Sequence, residues 1–247
     1  FKYDDALVTA DKIATFELTV KTYAQRNGLH ATFMPKPIYG INGSGMHTNM
    51  SLFDRNGENA FADPKDPLGL SQTAYQFIAG LLAHIKGLAA ITNPLVNSYK
   101  RLVPGYEAPC YIAWSASNRS TLIRIPAARG KGTRVELRCP DPACNAYLAL
   151  ACCLAAGLDG IRRGLTCPEP VRDNIFAMPQ AERQARGIEN LPSNLHEALQ
   201  ELQKDALLLE TLGPHISKAY VEGKEAEWND YQRHVSDWEL ARYLARY

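Results

Sequence analysis

The sequence predicts an α+β fold in which an antiparallel β-sheet is surrounded by helices. Short strand-like segments are gathered in the middle of the chain, and longer helical patterns lie on both sides of them. A βαβ protein would instead alternate strands and helices along its whole length. The 247 residues, 46% hydrophobic and 21% charged, are enough to build a substantial core.

The first third of the chain predicts two helices with short strands between them. The first helix covers residues 4–27, where apolar side chains recur at helical spacing and Gly28 follows the last turn. The second begins behind Ser71, a residue type that caps helix N-termini, and ends at Asn93, which precedes a proline. The strand-like runs between them are Ala31–Met34 and Asn49–Phe53.

Three further strands, each bounded by Pro or Gly, are predicted in the middle of the chain. They are Cys110–Ser115, Thr121–Ile125 and Thr133–Arg138. The helix that follows runs from Pro142 to about Arg163 and is apolar nearly all round, so it must be buried on most sides. The last third is predicted to be helical, over Ser193–Leu212 and then from Pro214 onward.

Composition argues against several classes of function. No run reaches the roughly eighteen uninterrupted apolar residues of a membrane span, so we expect no membrane partner. A net charge of +1, without a long basic stripe, argues against nucleic-acid binding. The six cysteines lack CxxC spacing and no secretory signal is visible, so we expect a cytoplasmic protein. Because the chain begins Phe-Lys-Tyr without an initiator Met, we expect a longer parent protein.

Positive charge is concentrated between Ser117 and Arg138. This segment holds six cations and one acid, which gives it a net charge of +5 although the whole chain is only +1. Such a concentration, interrupted by Pro and Gly, predicts an anion site, and a solvated charged face is the alternative. The cations are Arg119, Arg124, Arg129, Lys131, Arg134 and Arg138.

Alternation along Thr133–Arg138 collects this charge on one face of a strand. A period of two sends Arg134, Glu136 and Arg138 to one side and two apolar residues to the other. A carboxylate between guanidinium groups suits a metal-and-phosphate site, because the acid can bind a hard cation such as Mg²⁺ and arginines bind anionic oxygens. An exposed Arg-Glu-Arg ladder of ion pairs is the alternative.

Two loops carry further candidate residues. The segment Asn42–Ser51 contains glycines that allow the backbone to approach a ligand, and alternation places His47, Asn49 and Ser51 on one face. His47 is therefore a candidate ligand of a metal or a polar molecule, or else an ordinary structural histidine. Glu107 lies in a loop stiffened by prolines. It is a candidate general base or part of a flap that excludes water, and the alternative is a solvated turn residue.

Four segments, in their order and spacing, resemble the catalytic domain of bacterial type I glutamine synthetase. They are NGSGMHTNMS, NSYKRLVPGYEAP, NRSTLIRIPAARG and RVELRCPDPACNAYLALA, and the likeness covers essentially the whole chain. The resemblance implies the glutamine synthetase/guanido kinase-like fold. It also implies that residues 1–247 are one catalytic domain that lacks its first part and the N-terminal domain of the family.

The resemblance implies ATP-dependent ligation of ammonia to the side-chain carboxylate of L-glutamate. That carboxylate attacks the γ-phosphate of ATP, and ammonia then displaces phosphate from γ-glutamyl phosphate to give glutamine, ADP and phosphate. The implied cofactor is Mg²⁺ or Mn²⁺, and the implied substrates are glutamate, ammonium and ATP. A homo-oligomer is implied too, because the full-length family forms dodecamers of stacked hexameric rings.

A role for each matched residue also follows from the resemblance. Glu107 and Arg119 are implied in catalysis, Glu107 as the flap acid that shields the acyl phosphate and helps to take a proton from ammonium. His47 and Glu136 are the implied metal ligands. The implied glutamate-binding residues are Asn42, Gly43, Arg101 and Arg138, and those for nucleotide and phosphate are Ser51, Arg124, Lys131 and Arg134.

Several features depart from the family pattern. Asn49 stands where some relatives have a second histidine that contacts nucleotide. Phe176 stands where regulated relatives have the tyrosine modified by adenylylation, so we expect that control to be absent. Further metal-binding glutamates and a neighbouring subunit's N-terminal domain are missing, so we expect the isolated fragment to be inactive or nearly so.

Two alternatives remain open at this point. One is a relative that joins glutamate to another amine, and the other is a non-catalytic oligomer-forming or regulator-binding derivative. A degenerate copy should have lost charged site residues, whereas Glu107, Glu136 and the matched arginines are all present. The second alternative is therefore disfavoured.

Overall fold

A small four-stranded sheet and a larger set of α-helices make up the computed structural model, which describes residues 1–118 and 120–247. The strands are β1 (Thr48–Met50), β2 (Trp114–Ser115), β3 (Ile123–Arg124) and β4 (Val135–Leu137). Their order in the sheet is β1-β4-β3-β2. Strands β1 and β3 pair antiparallel with β4, whereas β2 runs parallel to β3. The predicted α+β class is confirmed, and the sheet is mixed rather than wholly antiparallel.

Most of the core is helical. The helices of the described ranges are α1 (Ala6–Arg26), α2 (Gln72–Thr92), α3 (Ser98–Arg101), α4 (Ala146–Arg163), α5 (Gln180–Ala185), α6 (Leu195–Lys204), α7 (Ala206–Arg233) and α8 (Asp237–Tyr243). Helix α2 packs most extensively against α4 and also contacts α6 and α7. Apolar side chains from these helices and from β3 and β4 form one continuous buried cluster. The sheet therefore has an apolar side fixed to the helical core and leaves its charged residues for the other side.

Capping side chains set the ends of the two central helices. Ser71 accepts a hydrogen bond from the backbone N–H of Ala74 at 3.2 Å and so begins α2, as predicted. The predicted start of α4 at Pro142 is a few residues early, because Asn145 caps the helix by accepting from the backbone N–H of Tyr147 at 3.0 Å. Gly164, with a φ of 61°, ends α4 in the left-handed conformation that favours glycine.

Helix α2 is long and apolar enough to cross a membrane, judged by length and composition alone. Its most apolar 18-residue window has a mean hydropathy of 1.3, and 67% of that window is buried inside the protein. Packing against α4 and α6 accounts for this apolar character.

Several predicted boundaries are wrong, for reasons that lie in tertiary contacts. Ala31–Met34 forms no strand with any described segment, because β-propensity alone does not supply a pairing partner. Of Cys110–Ser115 only the last two residues pair in the sheet. The predicted helix at 193–212 breaks at Asp205, whose side chain accepts from the backbone N–H of Leu208 and caps the start of α7. The predicted break between Leu212 and Pro214 is confirmed, because Gly213, with a φ of 75°, kinks α7 there.

Small residues allow α2 and α4 to approach closely. A Cβ added to Gly80 would lie 2.2 Å from the carbonyl oxygen of Ala156, and one added to Gly160 would lie 2.1 Å from that of Gln76. Both distances are well inside van der Waals contact, so neither glycine can gain a side chain without separating the helices. The main helix pair of the core depends on these two positions.

His84, on α2, links two other helices through carboxylates. Its Nδ1 lies 2.7 Å from Oδ2 of Asp205 at the start of α7, and its Nε2 lies 3.1 Å from Oδ2 of Asp159 on α4. The hydrogen bond to Asp205 raises the pKa of His84, against the opposing effect of partial burial. Asp159 also accepts from Arg163 at 2.9 Å. A protonated His84 therefore connects α2, α4 and α7.

We expect His84→Gln to lower the free energy of unfolding by about 1–3 kcal/mol near pH 6, since it removes hydrogen bonds to charged groups. The raised pKa means that the folded protein holds this proton more tightly than the unfolded chain does. The stabilisation is therefore complete below the unfolded value of about 6.5 and is lost as pH rises through the folded value. Urea denaturation should show the difference from the unaltered protein shrinking as pH rises, with the exposed His30→Gln as control. A difference independent of pH would contradict the link.

We expect Gly80→Ala to destabilise the protein by about 1–3 kcal/mol, because the new methyl group overpacks the contact between α2 and α4. Gly223→Ala is the matched control, since it also lies in a helix but has no other atom within 4 Å of the added Cβ. That control should gain about 0.5–1 kcal/mol from the better helix propensity of alanine. Equal effects of the two substitutions on thermal unfolding would refute close helix packing at Gly80.

Candidate functional site

A cavity of about 180 Å³ lies beside the charged side of the sheet. Its walls come from the loop before β1, from α3 and the loop after it, and from the residue that follows β4. The lining brings together the four residues to which the family resemblance assigns glutamate binding, along with two others from the predicted site. These residues are Asn42, Gly43, Arg101, Arg138, His47 and Glu107.

Arg101 presents a buried positive charge to this cavity. The residue is 4% exposed, at the end of α3. Its Nη1 donates to the carbonyl oxygen of Cys139 at 2.6 Å, and its Nη2 donates to that of Arg138 at 3.3 Å. Both of these acceptors are neutral, so these contacts orient the guanidinium without cancelling its charge. The remaining charge favours an anionic ligand.

Two glycines let the loop before β1 pack closely, Gly45 against Arg101 and Gly43 against the backbone of Pro35. A Cβ at Gly45 would stand 2.5 Å from Nη2 of Arg101, and one at Gly43 would stand 2.1 Å from the carbonyl oxygen of Pro35. The sequence predicted that these glycines allow close approach to a ligand. In the structure Gly45 allows close approach of backbone to the arginine that lines the cavity, and Gly43 allows close approach to the backbone of Pro35.

Glu136 is the buried acid of the site. It is 5% exposed on β4, and Arg124 donates to both of its oxygens, Nε to Oε2 at 2.5 Å and Nη2 to Oε1 at 3.2 Å. Nε of Arg138 lies 3.7 Å from Oε2. As the period of two predicts, the side chains of Glu136 and Arg138 lie close together. Because both residues are buried, an exposed ladder of ion pairs is excluded.

His47 is the second predicted metal ligand, and its Nδ1 lies 3.7 Å from Oε1 of Glu136. Burial is the main cause that lowers the pKa of His47, the positive charge of Arg138 adds to this effect, and Glu136 opposes it. The imidazole is therefore neutral at neutral pH, which is the form that binds a metal ion. An imidazole nitrogen beside a carboxylate suits a divalent cation such as Mn²⁺.

The described part of the chain supplies only a partial set of metal ligands. No group of three or more His, Cys, Asp or Glu side chains suited to a metal occurs in residues 1–118 and 120–247. Glu136 and His47 fit a divalent cation as two ligands, and other groups would have to complete its coordination.

Glu107 lies at the exposed side of the cavity, in the loop after α3. Its charge acts on Arg138 across the cavity and works against the lowering of the pKa of that arginine by burial. The ammonium group of Lys36 makes a cation–π contact with Tyr106, the preceding residue, at 3.6 Å from its ring centroid. Such a contact is worth about 0.5–2 kcal/mol and ties this loop to the loop before β1.

The residues predicted to contact nucleotide are more dispersed. Arg124 donates to the Glu136 carboxylate near the cavity, whereas Arg134 donates to Oδ1 of Asn49 at 3.0 Å. Lys131 and Ser51 are exposed. Arg119, the other residue predicted in catalysis, lies outside the described residues.

Asn59 is a supporting residue that the sequence did not reveal. Its Nδ2 donates to the carbonyl oxygens of Lys131 at 3.2 Å and Thr133 at 2.8 Å, and its Oδ1 accepts from the backbone N–H of Phe61 at 2.9 Å. It thereby fixes the turn that carries Lys131. Since more than seventy positions separate Asn59 from this turn, no local pattern marks the contact.

Comparison with known proteins agrees with the resemblance seen in the motifs. The family model for the glutamine synthetase catalytic domain matches residues 1–243. Glutamine synthetases of Clostridium saccharobutylicum and Thermus thermophilus are 65% and 61% identical over all 247 residues, which are 56% and 55% of those relatives. The chain therefore spans about half the length of the curated relatives that it matches.

Solved structures show the same similarity in three dimensions. "Apo GmaS without ligand" matches with a TM-score of 0.87 over 98% of this chain and 55% of its own. "GmaS/ADP complex-Conformation 1" matches with a TM-score of 0.90 over 99% of this chain and 56% of its own. Both are 42% identical to this chain in sequence.

The family resemblance implies L-glutamate as the ligand of this cavity, and on that expectation Gly45→Ala should weaken its binding about tenfold or more, because the added Cβ would displace the Arg101 guanidinium. Loss of one charge-assisted hydrogen bond, at about 1.5–3 kcal/mol, corresponds to at least that factor. Calorimetric titration with L-glutamate measures the change, and Gly223→Ala, far from steric contact, is the control. An unchanged glutamate affinity in correctly folded Gly45→Ala would contradict the role of Arg101.

Proposed function

The chain belongs to the glutamine synthetase family, and from this premise we propose that it carries the glutamate-binding part of a glutamate–ammonia ligase. The proposed reaction is ATP-dependent ligation of ammonia to the side-chain carboxylate of L-glutamate, through γ-glutamyl phosphate. The observation that carries the proposal is the cavity that gathers the residues implied in glutamate binding beside Glu107 and His47.

Glutamate binding would rest on the positive charge of this cavity. Arg101 and Arg138 both line it, and the two contacts that orient Arg101 are with neutral carbonyl oxygens. Charge-assisted hydrogen bonds to carboxylates are the strongest polar contacts such a site can offer. Asn42 adds a side-chain amide, and Gly43 contributes backbone to the wall. Together these residues suit a small anion with a polar end.

Glu136 and His47 are the residues that would hold Mg²⁺ or Mn²⁺ in the complete enzyme. When bound, the cation neutralises negative charge on the phosphoryl group that is transferred. Arg124 and Arg138 lie with their Nε atoms 2.5 and 3.7 Å from Oε2 of Glu136, and their positive charges would stabilise phosphate oxygens and substrate. These residues would therefore supply positive charge where the proposed reaction develops negative charge.

Glu107 would act on the nitrogen nucleophile. Ammonium must lose a proton before it can attack γ-glutamyl phosphate, and a carboxylate at the exposed side of the cavity is placed to accept that proton. The loop that carries it would also shield the acyl phosphate from water.

The nucleotide would bind on the side of the sheet that carries Arg134. One similar structure is described as a GmaS/ADP complex, and it shares 42% of its sequence with this chain. By this similarity we propose ATP as the phosphoryl donor. The residues proposed to contact it are Ser51, Arg124, Lys131 and Arg134, with Arg119 stabilising the charge that develops during transfer.

We also propose that the complete active site needs protein beyond these 247 residues. The described residues supply two metal ligands rather than a full set, and the chain spans about half the length of its curated relatives. In a homo-oligomer, as the family resemblance implies, a neighbouring subunit would contribute the rest.

We expect the 247-residue chain alone to release phosphate from ATP, glutamate and ammonium roughly 100-fold or more slowly than the full-length protein, since the metal site is incomplete. Each protein is assayed with Mg²⁺ and with Mn²⁺, and omission of glutamate serves as control. Methylamine in place of ammonium distinguishes an ammonia ligase from a ligase for another amine. Full activity of the isolated chain would overturn the incomplete site, and a full-length protein without glutamate-dependent turnover would overturn the function.

A further inference from the structure

A buried polar network behind the cavity joins Arg101 to Asp141. Nη1 of Arg101 and the side-chain amide of Asn93 both donate to the carbonyl oxygen of Cys139, at 2.6 and 2.8 Å. The same amide nitrogen donates to Oδ2 of Asp141 at 3.0 Å. One carbonyl and one amide therefore connect the cation at the cavity to an acid behind it.

This network is shielded from water. Asn93 and Asp141 are 0% exposed and Arg101 is 4% exposed. Asp141 also accepts from the backbone N–H of Ala143 at 3.0 Å. Since a buried carboxylate is tolerated only with hydrogen bonds and a nearby counter-charge, the network leaves little freedom to any of its members.

Two contacts fix α3 to the segment that follows β4. Arg101, at the end of α3, donates to the carbonyl oxygens of Cys139 and Arg138. The segment 138–141 also carries Arg138, the other cation that lines the cavity. The distance between the two arginines is therefore set by residues that lie behind them.

The orientation of the Asn93 amide is itself fixed. The Thr92 hydroxyl lies 3.0 Å from Oδ1 of Asn93, so Nδ2 faces Cys139 and Asp141. The backbone N–H of Asp141 donates to the carbonyl oxygen of Thr92 at 3.1 Å. The end of α2 thus holds this network from the side of the core.

We propose that Asp141 and Asn93 are positioning residues for the amino-acid substrate, which hold Arg101 with its charge turned towards the cavity. The inference rests on the proposed function, because it takes L-glutamate to be the ligand. The cavity wall, among the described residues, includes Arg101 and Arg138 but neither Asn93 nor Asp141. A direct ion pair would occupy the donors of Arg101 and cancel its charge, whereas Asp141 reaches Arg101 only through the Asn93 amide and the Cys139 carbonyl and leaves the other donors of Arg101 for substrate.

The test is steady-state kinetics of full-length Asp141→Asn. We expect the KM for L-glutamate to rise about tenfold or more, because Arg101 loses its fixed orientation, while the KM for ATP changes less than about twofold. Asp159→Asn is the matched control, since Asp159 also serves a hydrogen-bonded junction, with His84, on the helical side of the protein. The control should lower the melting temperature without changing the KM for glutamate.

Equal increases in both KM values, or the same change in Asp159→Asn, would show a merely structural role and overturn the proposal. If Asp141→Asn does not fold, Thr92→Val removes the hydroxyl that lies 3.0 Å from Oδ1 of Asn93 and should raise the glutamate KM about two- to fivefold with an unchanged ATP KM. An unchanged glutamate KM in that variant would overturn the inference alone. If the unaltered protein shows no glutamate-dependent turnover, the proposed function fails and the inference fails with it.

Discussion

The site depends on a carboxylate that is buried among arginines. Glu136 is 5% exposed, and it is compatible with the interior of β4 only because Arg124 donates to both of its oxygens and Arg138 lies close by. Removal of one partner from such a buried pair leaves an uncompensated charge, which is far more costly than loss of a surface ion pair. The sheet, although its strands are only two or three residues long, is therefore held in register by its charges as well as by its backbone.

The register of the strands explains why the charged residues meet. Arg124 on β3 lies directly across from Glu136 on β4, and Asn49 on β1 lies across from it on the other side. His47, two residues before Asn49, thereby reaches the same carboxylate. Three segments distant in sequence thus contribute one cluster, while the apolar residues between them are buried in the helical core.

The helical core extends this constraint to the cavity. Helices α2 and α4 pack closely because Gly80 and Gly160 have no side chains to hold them apart. Helix α2 ends at Thr92, Asn93 caps it, and Asp141 lies shortly before α4. The hydrogen bond between Asn93 and Asp141 therefore joins the ends of these two helices behind Arg101. Rigid helices therefore position a binding cavity that is formed mostly by loops.

Local patterns predicted those features that depend on neighbouring residues. Ser71 marked the start of α2, and the period of two along Thr133–Arg138 placed Glu136 and Arg138 on one face. The parallel β2–β3 pair, the break at Asp205 and the pairing of Asn93 with Asp141 were not predictable in this way, because each depends on residues brought together only by folding. The roles proposed for Asn42 and Arg101 came from family resemblance, since neither position carries a distinctive local pattern.

The most direct test of this account is anomalous diffraction from crystals of the full-length protein grown with Mn²⁺. We expect a manganese peak at bonding distance from both the Glu136 carboxylate and a nitrogen of His47, with Arg124 no longer donating to both oxygens of Glu136. A manganese peak elsewhere, or none while Arg124 keeps both hydrogen bonds, would contradict the assignment of Glu136 as the centre of the site.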